Sequence, residues 1–337
     1  VKFVDDQLNV WCFGPGVGEF IVVHVPPHGW LAIDGCSAKG QNYPVAFFDD
    51  LKKQPTHILM THPHLDHARG VRELVERHTS PSSASWPMLG VVTPPGPAKP
   101  VGHQAKHESR YVLDALNAMV TRWKQRSACE WRPTAGTSHA LGAGTMRVLS
   151  PPEALLKKKR APSFDVNQLS SALAIEWEGQ RLILGSDLVE EPGHGWSEVL
   201  NTAPNAREHL LLKVAHHGSK AAQHVPMLAR RKGEKEALYI ATPFASQDLP
   251  RFTKTEGVAV LHQHADKLLL TGLPQAFDQQ HGSPRHWPLW KLAKMRKFPA
   301  SSQPADGYPD CWIHVSVAKT GKTKTSYGPG SVIVHRD

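Results

Sequence analysis

The sequence predicts an α/β protein built as a four-layer αββα sandwich, two β-sheets face to face with helices outside. Two observations carry this. Apolar β-rich runs and amphipathic helical runs occur in two similar halves, each ordered as sheet, polar loop, helices. In both halves a strand runs into a loop rich in imidazole or carboxylate: Thr61-His62-Pro63-His64-Leu65-Asp66-His67 first, then Gly185-Ser186-Asp187 and Ala215-His216-His217-Gly218-Ser219-Lys220. Loops from both halves would converge at one rim of the sandwich. A tandem repeat of about 20–50 residues, the mark of a solenoid, is not seen.

The first half opens with a β-meander: Leu8 to Phe13, Phe20 to Val25 and Trp30 to Asp34, separated by Gly- and Pro-rich turns. A short helix is expected over Pro44 to Lys52. The strand His57 to Met60 delivers the histidine loop, and Ala68 to His78 continues as an amphipathic helix. Met88 to Val92 reads as a strand. Tyr111 to Trp123 is the strongest helix, with Val112, Leu113, Leu116, Met119 and Val120 on one face. Thr145 to Leu149 is a strand and Pro151 to Lys158 a short helix.

The second half begins with a hairpin, Ser170 to Trp177 and Arg181 to Leu184, turning at Glu178-Gly179. A helix near Trp196 to Leu200 and the strand His209 to Val214 follow. Leu238 to Ala241, Leu268 to Leu270, Trp312 to Val317 and Val332 to Val334 are later strands. Gln275 to Pro309 is irregular, with Trp287 to Met295 as its helix candidate. Residues 1–337 are read as a single domain, its core at about 8–272, with 273–337 an extension completing the second sheet.

With 40% hydrophobic and 20% charged residues among 337, the composition is that of a globular protein with a substantial core. No apolar run approaches the ~20 residues that span a bilayer, and the N-terminus lacks a signal-peptide pattern. No membrane association and a cytoplasmic location are therefore expected. Cys12, Cys36, Cys129 and Cys311 are far apart and form no C-x-x-C pair or disulfide-rich pattern; Cys12 and Cys36, flanking adjacent strands, read as reduced, half-buried core residues, not ligands. The net charge of +9 favours an anionic partner such as nucleic acid. Basic residues cluster at Lys157 to Arg160, Arg230 to Lys232, Lys291 to Lys297 and Lys319 to Lys324. One such cluster is usually a solvated face; four could compose a basic surface.

The chemistry centres on residues 61–67. Among 21 histidines a lone H-x-H is usually a solvated loop. An H-x-H-x-D-H order fixed at a strand end is a metal motif, because imidazole and carboxylate are the usual ligands of zinc and similar hydrolytic metals. The run resembles the signature of the metallo-β-lactamase fold superfamily.

That resemblance implies roles for further residues, in chain order. Asp34, in Ala32-Ile33-Asp34-Gly35, matches the aspartate that orients a ligand histidine, although a turn aspartate before glycine is common. Asp187 matches the metal-bridging carboxylate, where the plain alternative is a helix N-cap. His216 and His217 match the late histidine. Consecutive residues cannot point the same way, so one is read as the ligand and the other as the substrate-side acid or phosphate contact. The residues leave open which is which, and His216 is taken as the ligand with His217 on the substrate side. Phe13-Gly14-Pro15-Gly16-Val17-Gly18-Glu19, Asn167-Gln168-Leu169-Ser170 and Lys213 to Lys220 look like segments of ComEC-type hydrolases, the domain attached to bacterial DNA-uptake channels. Glu19 stands where that type has aspartate, and Thr242-Pro243-Phe244 departs from its turn. The channel's membrane segments are absent.

The resemblance implies a metal-dependent phosphodiesterase or nuclease holding two Zn²⁺, or Mn²⁺. His62, His64 and Asp187 would hold one ion; Asp66, His67, Asp187 and His216 the other. Asp66 would orient the metal-activated hydroxide and His217 protonate the leaving oxygen. Lys220 and Ser219 would offset phosphoryl charge. Two alternatives stand beside this. One is an acyl hydrolase of the same fold, acting on a lactone, thioester, β-lactam or peptide. The other is a nucleic-acid-binding module with a degenerate site, motivated by a missing ligand: His103, His107 and His139 are candidates for it, and none stands in a motif.

Overall fold

The computed structural model describes residues 3–38, 40–83, 85–92, 105–157, 165–229, 237–251, 255–273, 294–297 and 311–335. Their strands form two large mixed sheets. The first runs, edge to edge, Thr323–Tyr327, Trp312–Val317, Leu8–Phe13, Phe20–Val25, Gly29–Asp34, His57–Met60, Met88–Val91, Glu130–Trp131. The second runs Lys294–Lys297, Val332–His335, Lys267–Leu270, Leu238–Ala241, Leu211–Lys213, Gln180–Leu184, Leu173–Trp177, Gly144–Val148, Ser138–Leu141. Each has a parallel block, with antiparallel strands on one side of it in the first sheet and on both sides in the second. In the first it extends from Gly29–Asp34 to Glu130–Trp131, in the second from Gln180–Leu184 to Lys267–Leu270.

The unbroken apolar character of these strands follows from burial on both faces. Leu8, Val10 and Cys12 pack between the sheets against Leu182, Leu184 and Ile240. Their neighbours Trp11 and Phe13 point the other way, onto Phe47 and Phe48 of the helix Tyr43–Leu51 and into a layer with Val71, Leu74, Met119 and Trp123. On the second sheet Ile183, Leu212 and Tyr239 face Trp196, Val199, Met227 and Leu261. The result is the expected αββα sandwich, with three apolar layers between four structural ones. None of the described helices is long and apolar enough to cross a membrane.

Several elements differ from expectation. The helix expected from Ala68 to His78 is two, Leu65–Ala68 and Val71–His78, because Gly70 adopts φ 90°, which no α-helix accommodates. The helix expected from Tyr111 extends over Ala105–Gln125. Within the helix candidate Trp287 to Met295, Lys294–Lys297 is instead a strand paired with Val332–His335, and 287–293 lie outside the described residues. The C-terminal stretch feeds both sheets: Val332–His335 joins the second, while Trp312–Val317 pairs with Leu8–Phe13 in the first.

Candidate metal centre

The polar loops leave the C-terminal ends of the parallel strands at one rim. Gly29–Asp34 ends at Asp34, and His57–Met60 leads into His62–His67. Gln180–Leu184 leads to Asp187, Leu211–Lys213 to His216 and His217, and Leu238–Ala241 to Thr242. Backbone strain gathers here: Asp34, Ser186, His216 and His217 have φ of 59°, 47°, 47° and 52°. Left-handed non-glycine residues cost on the order of 1 kcal/mol or more each and persist where surrounding structure over-determines them. The loops are also closely nested. A Cβ on Gly18 would lie 2.6 Å from the Asp66 carbonyl oxygen, and the Glu19 amide donates to that same oxygen at 3.0 Å.

Asp187 is the hub. Its Oδ2 lies 3.4 Å from His67 Nε2, 3.9 Å from His62 Nε2 and 3.9 Å from His217 Nε2. Asp66 Oδ2 closes the set at 3.6 Å from His67 Nε2 and 3.2 Å from His217 Nε2. Two groups with converging donor atoms share Asp187: His62 with His64, and Asp66 with His67 and His217. Ligands about 2.0–2.1 Å from a tetrahedral zinc stand roughly 3.3 Å apart, so these separations suit cations.

Hydrogen bonding fixes which nitrogen faces the hub. His67 Nδ1 donates to Asp34 Oδ2 at 2.7 Å. Asp34 also accepts from the Thr61 amide at 2.7 Å and from Thr61 Oγ1 at 2.8 Å. With the Thr61 hydroxyl thus engaged, His62 Nδ1, 3.1 Å away, is its donor. His217 Nδ1 donates to the Thr242 carbonyl at 3.1 Å. All three rings therefore carry Nδ1–H and turn Nε2 inward. His62 Nε2, His67 Nε2 and Asp187 Oδ1 are buried without a hydrogen-bonding partner. Buried polar atoms left unpaired are costly, and this donor set fits divalent cations.

The electrostatics agree. Burial alone would neutralise the carboxylates, but His67 and His217 outweigh it and hold Asp66 and Asp187 well below the usual carboxylate range. Burial likewise opposes charge on His67 and His217, yet Asp187, aided by Asp34 and Asp66, holds His67 well above its ordinary value. Asp187 and the Asp66 hydrogen bond raise His217 too. Burial and the neighbouring His67 push His62 down. Cation binding here would therefore compete with protons on His67 and His217.

The structure brings together His62, His64, Asp66, His67 and Asp187, with Asp34 hydrogen-bonded beneath His67. It exchanges the adjacent pair. His217, not the expected His216, joins the buried group, because the two left-handed residues turn its ring under the loop, stacked on Phe244 at 5.0 Å. His216 stays half-buried at the cleft wall, Nε2 4.0 Å from Asp187, with Nδ1 2.9 Å from Ser219 Oγ and Nε2 3.3 Å from Asn167 Nδ2. Ser219 thus touches His216. Lys220 is exposed and does not line the cleft, contrary to its expected phosphate contact. His139 packs on Trp131 at 5.0 Å and His57 at 6.2 Å and joins none of the described ligand groups. His103 and the His107 side chain lie outside the described residues. So do 158–160, 230–232, 291–293 and the side chains of 294–297 from the basic clusters. Lys157 and Lys319 form exposed ion pairs with Glu153 and Glu178, as solvated faces do.

Sequence reading missed a buried support. Glu19 Oε2 accepts from Lys213 Nζ at 2.7 Å and from Thr242 Oγ1 at 2.6 Å, directly behind the carbonyl that holds His217. Burial opposes both charges, but each raises the other's ionisation: Glu19 is lowered and Lys213 raised. It also missed the cleft above the centre, of about 360 Å³, walled by Val17, Leu65, Arg69 and Phe244 over Asp66 and Asp187.

Residues 40–101 match the family model described as the metallo-beta-lactamase superfamily. Together with the two mixed sheets and the His/Asp centre, this gives the chain the metallo-β-lactamase fold. Among solved structures it is similar to the metallo-beta-lactamase fold protein YhfI from Bacillus subtilis, at 12% identity over 69% of this chain and 85% of that one, TM-score 0.38. It is similar also to a metallo-beta-lactamase HARLDQ motif mutant from Cronobacter sakazakii, at 17% identity over 58% of this chain and 67% of that one, TM-score 0.31. A third is CmlA, a diiron beta-hydroxylase from Streptomyces venezuelae, at 12% identity over 65% of this chain, TM-score 0.37; the match spans only 36% of CmlA. No curated protein matches the sequence.

Proposed function

We propose that the protein is a metal-dependent phosphodiesterase that cleaves nucleic acid. The observation carrying the hydrolase reading is Asp187 shared by two ligand groups, all buried but for half-buried His64, beneath an open cleft. The net charge of +9 and the ComEC-type segments support a polyanionic substrate. Divalent cations, zinc or manganese, would supply Lewis acidity toward water and the phosphoryl oxygens.

The chain's own groups divide the remaining work. His62, His64 and Asp187 would hold one cation, and Asp66, His67, Asp187 and His217 the other. Asp34 fixes His67 with Nε2 inward, and Thr242 does the same for His217. Asp66 Oδ2, anionic and lining the cleft, is placed to accept a hydrogen bond from an attacking water and orient it. His216 also lines the cleft; burial lowers its pKa, so it is a neutral imidazole able to pass a proton at Nε2.

The test is cleavage of labelled single- and double-stranded DNA and RNA after chelation and return of Zn²⁺ or Mn²⁺, with Asp66→Ala and His67→Ala alongside. Metal-restored cleavage, lost in both variants, is expected. Bound metal without cleavage of any nucleic acid would overturn the phosphodiester reading in favour of acyl hydrolysis.

A further inference from the structure

We infer that Arg69 is the residue with which this cleft binds an oxyanion of its substrate. The inference deepens the hydrolase reading and rests on the cleft being the substrate site. Arg69 is the one Lys or Arg among the described residues that line it, and so takes the place expected for Lys220. It shares the wall with Asp66 and Asp187 yet forms an ion pair with neither, and Nε is buried without a hydrogen-bonding partner. An arginine among carboxylates ordinarily pairs with one. Here the carboxylates are directed at the metal centre, so the guanidinium is left with donors to offer.

Its backbone is fixed by neighbouring loops and its head rests on one aromatic ring. The backbone is pinned where the first metal loop ends: the Arg69 amide donates to the Leu65 carbonyl at 3.3 Å. A Cβ on Gly35 would collide with the Arg69 carbonyl oxygen, so the two loops touch backbone to backbone. The guanidinium carbon then sits 5.7 Å over the Tyr111 ring. A planar cation resting on an aromatic face keeps its donors in a fixed fork that matches carboxylate or phosphate oxygens. Val17, Leu65 and Phe244 add apolar surface to the cleft and Ser246 and Gln247 uncharged polar groups, so Arg69 is the one Lys or Arg among the described residues that an anionic group entering it would meet.

Equilibrium binding of phenyl phosphate, phenylacetate and phenol to the zinc-loaded protein tests this without requiring turnover. Wild type is compared with Arg69→Gln, Arg69→Lys and Tyr111→Leu, metal content being checked in each. Arg69→Gln should weaken phenyl phosphate about tenfold or more and leave phenol unchanged. Arg69→Lys, a point charge without the fork, should recover part of the loss, and Tyr111→Leu should weaken the anion less than Arg69→Gln. Unchanged anion affinity in a fully metallated Arg69→Gln protein overturns the inference, as does equal loss of phenol. A loss confined to phenylacetate keeps the oxyanion role of Arg69 but overturns the phosphodiester reading. A loss confined to phenyl phosphate supports both.

Discussion

Lys213 and Glu19, from opposite halves of the chain, form an ion pair at 2.7 Å with both side chains fully excluded from solvent. Lys213 ends the strand before the late histidines, and Glu19 follows the turn that packs on Asp66. Through Thr242 the pair backs the carbonyl that orients His217. It therefore ties the two metal loops together from below.

Removing one partner leaves a buried charge uncompensated. Glu19→Leu or Lys213→Met alone should each cost about 3–5 kcal/mol, whereas the two together should cost far less than the sum. Urea unfolding of the singles and the double measures this. Additive losses would mean that the two residues act independently.

Asp34 supports His67 without being one of the expected ligands. Asp34→Asn tolerates the left-handed backbone but weakens the charge-assisted bond to Nδ1. Metal affinity should fall about 10–100-fold with little change in fold, read by competition with a chromophoric chelator. Unaltered affinity would remove Asp34 from the centre.

The adjacent histidines should separate cleanly. His217→Ala should lose metal affinity by more than the ~10–100-fold of a supporting residue. His216→Ala should keep both cations and change only turnover. Metal content by elemental analysis, paired with activity, decides; loss of metal in His216→Ala alone would restore the assignment made from sequence.

Acid sensitivity should come from histidines remote from the centre. Burial pushes His314 and His57 down to about 4. The unfolded chain binds their protons near pH 6.5 and the folded one only near 4, so stability is full above about 6.5 and falls as pH drops toward 4. Each contributes up to about 3 kcal/mol of this slope. His314→Gln, which keeps a donor for Asn9 Oδ1, should flatten the slope of unfolding free energy between those limits.

The sandwich and most of its strands were legible because runs such as Leu8–Phe13 and Leu238–Ala241 are apolar on both faces and bounded by turns. The metal loop was legible because its ligands are local. What escaped depends on contacts distant in sequence. Glu19 and Lys213 each stand in a recognisable segment, but nothing local shows that they pair until the fold joins them. The exchange of His216 and His217 is set by two successive left-handed residues, for which neither side chain gives a signal. Arg69 sits in what reads as a continuous helix, and only the break at Gly70 turns it into the cleft wall.

The place of Leu8–Phe13 in the first sheet bears on how the molecule is made. Its neighbours are Phe20–Val25 and Trp312–Val317, with Asn9 opposite both His24 and Ser316. During synthesis from the N-terminus, the meander, complete at Asp34, precedes its second neighbour, which starts at Trp312, by most of the chain. Closing so long a loop costs only about 5 kcal/mol by chain-entropy scaling, but until then an apolar edge lies open to other chains. Ribosomal synthesis therefore leaves this edge exposed longest, and slow elongation or crowding of nascent chains would favour aggregation there over pairing with Trp312–Val317.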